Sequence, residues 1–295
     1  MKITILTATY NRCDLLPNLY KSIVQNYKTF KDLEWIIMDD GSLDDTKKVV
    51  DKWVKKEEFK IEYHYQENQG KMRAINNGMK YVTGDIVIEV DSDDYLMDDV
   101  LAKVSEDYEK LDDDKVYGIA YGRKLIGKDV VSMGDINNKV LKLFEVHNKY
   151  EYDFDMSLTF KTKVRKENEY PLEYDEKFVT EARLYYKLDQ KYDGMLFKDD
   201  EIIVSEYMAD GYSKNIAKMF KQYPYGYYEF FKECLSYSNK DNTSKHKRMY
   251  FIKHYILFSY LTHKKMKDCI KGVTGFNKFL VTLLVIPGYI KSSRF

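Results

Sequence analysis

The chain has 295 residues, 44% of them hydrophobic, enough to bury one substantial core plus a smaller appendage. Its 48 basic and 48 acidic residues cancel to a net charge of zero, which removes any bulk electrostatic reason to expect nucleic acid as a partner. Charge effects must therefore be local, and the acids gather at 39–45, 91–99 and 112–114 while the last eighty residues are rich in Lys, Tyr and apolar side chains.

From the start, short apolar runs alternate with amphipathic ones, the pattern of parallel strands joined by covering helices. Strands are expected over 3–7, 35–38, 61–65 and 86–90. Between them Leu15, Leu16, Leu19, Ile23 and Val24 share one helical face, as do Val49, Val50, Trp53 and Val54, and then Ala74, Ile75, Met79 and Val82. The expected order is βαβαβαβ. A helix over 100–111, strands over 117–121 and 153–160, a helix over 180–188 and a strand over 202–207 follow, and beyond residue 215 only helical, Tyr-rich segments remain. The polar stretch 236–247 reads as a connection between two of those helices.

Open α/β sheets collect ligands beyond the carboxyl ends of their strands. The four expected strand ends run into Ala8-Thr9-Tyr10-Asn11-Arg12, Asp39-Asp40-Gly41-Ser42, Asn68-Gln69-Gly70-Lys71 and Asp91-Ser92-Asp93-Asp94. An aromatic ring, an acidic acceptor for a base N–H, glycine-containing turns and a carboxylate pair for a hard cation together describe a nucleotide diphosphate site. Separately, the first acidic run also reads as a turn with a helix cap, and the second as a solvated helix start. Their placement on successive strand ends favours the joint reading.

These motifs resemble the family 2 glycosyltransferases of the GT-A fold. The resemblance runs in order through Thr7-Ala8-Thr9-Tyr10-Asn11-Arg12, Asp39-Asp40-Gly41-Ser42, Glu67-Asn68-Gln69-Gly70-Lys71, Thr83-Gly84-Asp85 and Asp91-Ser92-Asp93-Asp94, covering about the first hundred residues. It implies an α/β fold with a Rossmann-like, mostly parallel sheet flanked by helices and followed by a helical C-terminal extension. It implies a donor site of Thr9, Tyr10, Asn11, Asp40, Gly41, Lys71, Asp91 and Ser92, in which Thr9 and Tyr10 line the base pocket, Asp40 accepts from the nucleobase and Asp91 lies near the ribose. Asp93 is implied as the ligand of Mn²⁺ or Mg²⁺ on the diphosphate, and Lys71 or Arg73 is a further cation for the phosphates. A catalytic base is implied at the start of a late helix, where Glu181 stands in Thr180-Glu181-Ala182-Arg183; a glutamate favoured by the helix dipole is the plainer account of the same residue.

The implied activity is inverting transfer from a nucleotide sugar, UDP favoured, to a hydroxyl of a glycan or lipid-linked acceptor, in the building of a bacterial surface polysaccharide or capsule. Two departures weaken the carry-over: the acid often found beside the base is Thr180 or Ala182 here, and the segment 207–213 lacks the Arg and His common in the closing loop. A nucleotidyltransferase would need a Gly-rich loop with Arg and Lys after the first strand, a haloacid-type phosphatase its Asp-x-Asp there, and neither is present. A non-catalytic subunit that binds nucleotide sugar or lipid is the remaining alternative.

Cys13, Cys234 and Cys269 form neither a disulfide framework nor a metal-binding pair, and the five histidines share no ligand spacing with carboxylates. Met1-Lys2-Ile3-Thr4-Ile5-Leu6 reaches polar residues too soon for a signal peptide, so a cytoplasmic chain is expected. Residues 1–214 read as the catalytic domain, with a nucleotide-binding half to about 98 and an acceptor half beyond it, and 215–295 as the helical extension. The stretches 250–260 and 276–290 combine aromatic and aliphatic residues with flanking Lys and Arg but are too short to span a bilayer. They suit helices lying on the inner face of a membrane as well as a lid or an oligomer interface.

Overall fold

The structure, a computed structural model, describes residues 1–111, 113–129, 132–152, 154–206 and 216–293. The chain divides into two compact units. One comprises Met1–Leu141, Phe154–Glu169 and Gln190–Met208, the other Lys142–Asp153, Tyr170–Asp189 and Ala209–Phe295. The boundary expected near Lys214, and the segment 207–213, lie outside the described residues.

In chain order the first half runs β1 (Ile3–Thr9), α1 (Leu16–Tyr27), β2 (Leu33–Asp39), α2 (Thr46–Val54), β3 (Lys60–Tyr65), α3 (Lys71–Gly78) and β4 (Ile86–Glu89). It continues with β5 (Tyr95–Leu96), α4 (Val100–Glu109), β6 (Val116–Leu125), β7 (Val140–Leu141), α5 (Leu143–Asn148), β8 (Met156–Lys161), α6 (Thr162–Lys166), α7 (Ala182–Leu188) and β9 (Gly194–Ser205). The described residues from 216 on are mostly helical: α8 (Ile216–Gln222), α9 (Pro224–Tyr237), α10 (Lys245–Leu261), α11 (Met266–Lys271) and α12 (Gly275–Ser292).

Among the described residues all strands belong to the first unit and form one nine-stranded sheet in the order β3-β2-β1-β4-β8-β6-β9-β5, with β7 beside β9. β1 to β4 are mutually parallel, β8 runs against β4 and β6, and β9 is parallel to β6 while β5 and β7 oppose it. The sheet is thus mostly parallel, as expected. Parallel strands covered on both faces are mostly apolar, which is why β1 reads as an apolar and β-branched run and β2 as an apolar run broken only by Glu34 and Asp39, and both are almost wholly buried. α1 starts with proline in its first turn and buries Leu16, Leu19, Tyr20 and Ile23, a helical stripe, on the sheet. There Tyr20 stacks on Trp53 with ring centroids 4.4 Å apart, and Trp35 lies beside Trp53 at 5.8 Å. Truncating buried Trp35 to alanine would cost about 3–5 kcal/mol.

β2 and β3 lie to one side of β1 and β4 to the other. The chain therefore reverses its direction of strand addition at β1, and the crevice this opens lies at the carboxyl ends of β1 and β4. The later strands differ from the sequence pattern. The strand expected over 202–207 is only the end of twelve-residue β9, whose middle carries Lys198, Asp199, Asp200 and Glu201. The charges are tolerated because Lys198 meets Asp107 at 3.4 Å and the pairing with β6 shifts register at Gly122.

The second unit is a helical body with an aromatic interior in which Phe231 stacks on Phe258 at 5.5 Å and Tyr228 on Tyr255 at 5.6 Å. Its buried charged residues include Arg183, whose guanidinium donates to both oxygens of Glu173 (2.6 and 2.8 Å), both of Glu233 (2.9 and 2.8 Å) and the carbonyl of Pro171.

Candidate functional site

The loops that follow β1, β2 and β3 are laced together by side-chain to backbone hydrogen bonds. Asn11 adopts a left-handed backbone (φ 51°), accepts from the Leu43 amide through Oδ1 at 2.8 Å, and donates its own amide to Ser42 Oγ at 2.9 Å. Asp44 accepts from the amides of Cys13 and Thr46, both at 3.0 Å, and from the Thr46 hydroxyl. These donors outweigh the desolvation that opposes them and hold its carboxyl at about 2. Gly41 (φ 89°) has no alternative residue: a Cβ there would lie 2.8 Å from the Asn68 amide nitrogen.

Asp40 and Asp39 are nearly fully buried. Asp40 accepts from Gln66 Nε2 and the Gln69 amide on Oδ1 and from the Gly70 amide on Oδ2, each at 2.8 Å, so its carboxylate pins the loop between β3 and α3. Asp39 accepts from the Ser42 amide at 2.7 Å and the Tyr63 hydroxyl at 2.6 Å. Thr9, at the end of β1, is 2% exposed, and its Oγ1 has no hydrogen-bond partner among the described residues, while the Tyr10 ring beyond it is 45% exposed.

After β4 the chain places four polar residues in a row. Lys71, the first residue of α3, reaches Asp91 with Nζ 2.6 Å from Oδ1. Burial works against the Asp91 charge, but the lysine overrides it and holds the carboxyl below the ordinary range. Asp93 is pushed the other way, by desolvation first and then by the charge of Asp91, with Arg12 and Lys71 opposing. Asp94 is buried, and Arg123 of β6 donates to it from Nη1 at 2.9 Å and to Ser205 Oγ at 3.2 Å. Desolvation, with the charge of Asp91, still raises its carboxyl to about 6 against the pull of Arg123.

Asp93 fits the role of a ligand for Mn²⁺ or Mg²⁺. It offers hard carboxylate oxygen, it is part-exposed, and the repulsion from Asp91 that raises it is what a cation would relieve. Among the described residues there is no group of three or more His, Cys, Asp or Glu side chains suited to a metal. The remaining ligands of such an ion would come from substrate phosphates and water, the usual arrangement for Mg²⁺ at phosphate sites.

Thus Thr9, Tyr10, Asn11, Asp40, Gly41, Lys71, Asp91, Ser92 and Asp93 all stand on loops at the carboxyl ends of β1, β2 and β4 or at the start of α3, in the first unit. Glu181 belongs to the second, at the N-terminal boundary of α7, with the Tyr185 hydroxyl 3.4 Å from Oε2. Two features escaped the sequence reading. Arg123 pairs with an aspartate 29 positions away, its only signal being one of two adjacent cations, with Lys124, near the end of a strand that is otherwise free of charge. The hold of Gln66 on Asp40 leaves no periodic trace at all.

The fold and the loops at the switch point define the GT-A class of nucleotide-sugar-binding folds. S. aureus TarS, residues 1–349 in complex with UDP-GlcNAc, superposes with a TM-score of 0.68 over 100% of this chain and 91% of that one at 15% identity. The mannosyltransferase PcManGT from Pyrobaculum calidifontis, in complex with GDP-Man and Mn²⁺, superposes with a TM-score of 0.61 over 99% and 83% at 15% identity. In sequence, residues 4–171 match the profile of glycosyl transferase family 2, more than half of the chain, and the chain belongs to that family. It is similar to the GalNAc(5)-diNAcBac-PP-undecaprenol beta-1,3-glucosyltransferase of Campylobacter jejuni, 36% identical over 130 residues that cover 43% of this chain and 40% of that one. The similarity thus spans about two fifths of that relative's length. No helix among the described residues is long and apolar enough to cross a membrane.

Proposed function

We propose that the chain is an inverting glycosyltransferase that moves a hexosyl or N-acetylhexosaminyl group from a nucleotide diphosphate sugar, UDP favoured, to a hydroxyl of a glycan or lipid-linked acceptor in surface polysaccharide synthesis. The observation that carries this reading is the pair of part-open carboxylates after β4, Asp91 held by Lys71 and Asp93 beside it, at the switch point of a parallel sheet. A fold shared with proteins bound to UDP-GlcNAc and GDP-Man supports the donor class, and similarity to an undecaprenol-glycan glucosyltransferase supports the acceptor class. Such an acceptor would bring the chain to the cytoplasmic face of a membrane.

In this reading Thr9 and Tyr10 line the base pocket, Asp40 accepts from the nucleobase, Asp91 lies near the ribose, and Asn11, Gly41 and Ser92 complete the donor site. Asp93 holds Mn²⁺ or Mg²⁺, which when bound neutralises charge on the donor diphosphate. Lys71 adds a positive charge beside it. Glu181 takes the proton of the acceptor hydroxyl; the freed oxygen forms the new bond to the anomeric carbon from the face opposite the diphosphate, whose C–O bond breaks and whose electrons leave with the nucleotide.

Calorimetric titration with UDP, with and without Mn²⁺, tests the donor half. Wild type should bind UDP at least about tenfold more tightly with Mn²⁺, and Asp93→Ala should lose that difference. An Asp93→Ala protein that keeps the full metal effect would remove Asp93 from the site, and no UDP binding in any condition would sink the donor assignment.

A further inference from the structure

The 18-residue helix α12 has two unlike faces. Its inner face is small or aliphatic: Asn277, Val281, Val285 and Ser292 are buried, Asn277 Nδ2 donates to the Leu235 carbonyl at 2.7 Å, and a Cβ at Gly288 would lie 2.5 Å from Ile256 of α10. The outer face carries Phe276, Phe279, Leu283, Ile286 and Ile290, each 57–61% exposed. At 3.6 residues per turn these five fall within an arc of about 80°, opposite the inner face, along a helix about 27 Å long. Five large apolar side chains left open in one stripe need a cover.

The charges beside the stripe say what kind. α12 contains no Asp or Glu, and its two lysines, Lys278 and Lys291, lie about 110° to either side of the stripe's centre. The segment leading into it adds exposed Lys265, Lys267 and Lys271 against the single acid Asp268. Laid stripe-down at a lipid surface, α12 would bury its aliphatic and aromatic residues among acyl chains while the flanking lysines extend to the headgroups. A second copy of the helix would instead set lysine against lysine, with no acid on α12 to pair them.

We propose that α12 is an in-plane docking helix for a bilayer surface rich in anionic phospholipid. The inference stands on the helix's own surface and not on the transferase reading.

The test is sedimentation of the full chain with vesicles of phosphatidylcholine alone or mixed with phosphatidylglycerol, at low and high salt. The chain should partition about tenfold more strongly to the anionic vesicles, and high salt should erase most of the difference. Leu283→Ser with Ile286→Ser should weaken that partition about tenfold or more with the circular dichroism spectrum unchanged, and Lys278→Gln with Lys291→Gln should weaken it several-fold on anionic vesicles only. The proposal is overturned if wild type ignores anionic vesicles, if the serine pair binds them as wild type does, or if ultracentrifugation shows a dimer that the serine pair dissolves, which would make a second copy the occupant. Because the transferase site is read by UDP calorimetry, failure of either assignment leaves the other measurable.

Discussion

Glu34 at the amino ends of β1 to β4 and the Asp91 and Asp93 pair after β4 are carboxylates treated in opposite ways. At the amino ends, Glu34 is fully buried and closed in on all sides: Lys2 Nζ at 2.6 Å, Lys60 Nζ at 3.1 Å, and the hydroxyls of Thr4 and Thr83 and the Thr83 amide, each at 2.7 Å. At the carboxyl ends, Asp91 has one lysine and a side chain 43% exposed, and Asp93 is left in the field of its neighbour. A satisfied carboxylate is structure, because every lone pair has a donor and nothing is left to bind. A carboxylate kept beside another, with too little positive charge to settle both, can take up a cation, and it is this imbalance that separates the Asp91 and Asp93 pair from Glu34.

Among the charged groups, disturbing Glu34 should give the largest effect on stability. Burial alone would raise its carboxyl, but Lys2, the two threonine hydroxyls and the Thr83 amide prevail and hold it at about 2. A folded value below the unfolded one of about 4.3 means that the contribution is complete above about pH 5 and fades as pH falls toward 2. Glu34→Gln should therefore cost about 3 kcal/mol at pH 7 and almost nothing near pH 2, read as urea midpoints across that range. Parallel pH profiles for the variant and wild type would show that Glu34 is not the group being titrated.

The second unit holds a closed network of its own in Arg183, but its partners are less buried, with side-chain exposures of 50% for Glu173 and 29% for Glu233. Water can take over what the guanidinium releases, so Arg183→Met should cost less, about 2 kcal/mol, and leave the UDP affinity within about twofold. A large fall in UDP affinity with unchanged stability would give Arg183 a part in binding that its hydrogen bonds do not suggest.

Which elements could be read in advance follows from where periodicity survives. Apart from the part-exposed β3, the helices and strands to Glu89 each bury a face or a whole strand, so their 3.6 or largely apolar patterns were visible. β5 and β7 have two residues each, too few for any period, and the charged middle of β9 is held by its neighbours in the sheet rather than by its own pattern. Glu181 sits at a helix boundary that the pattern 180–188 located to within two residues. Within the site, the acidic loops were legible because Asp, Gly and Ser crowd there. The bonds between them were not: that Asp40 faces Gln69 and Gly70, or that Asp94 meets Arg123, depends on the approach of segments tens of residues apart.

The smallest effect is expected at Asn11, where the two roles of the open end can be separated. Its left-handed backbone favours Asn or Gly, and its side chain alone accepts from the Leu43 amide. Asn11→Gly keeps the backbone freedom and loses only an exposed hydrogen bond, costing about 0.5 kcal/mol, whereas Asn11→Ala adds the strain of φ 51° and should cost about 1 kcal/mol more. If the loop's shape is what matters for the nucleotide, UDP affinity should fall with Ala and hold with Gly. Equal losses would place the Asn11 amide itself against the ligand, and equal stabilities would mean that the Ser42 contact alone fixes the turn.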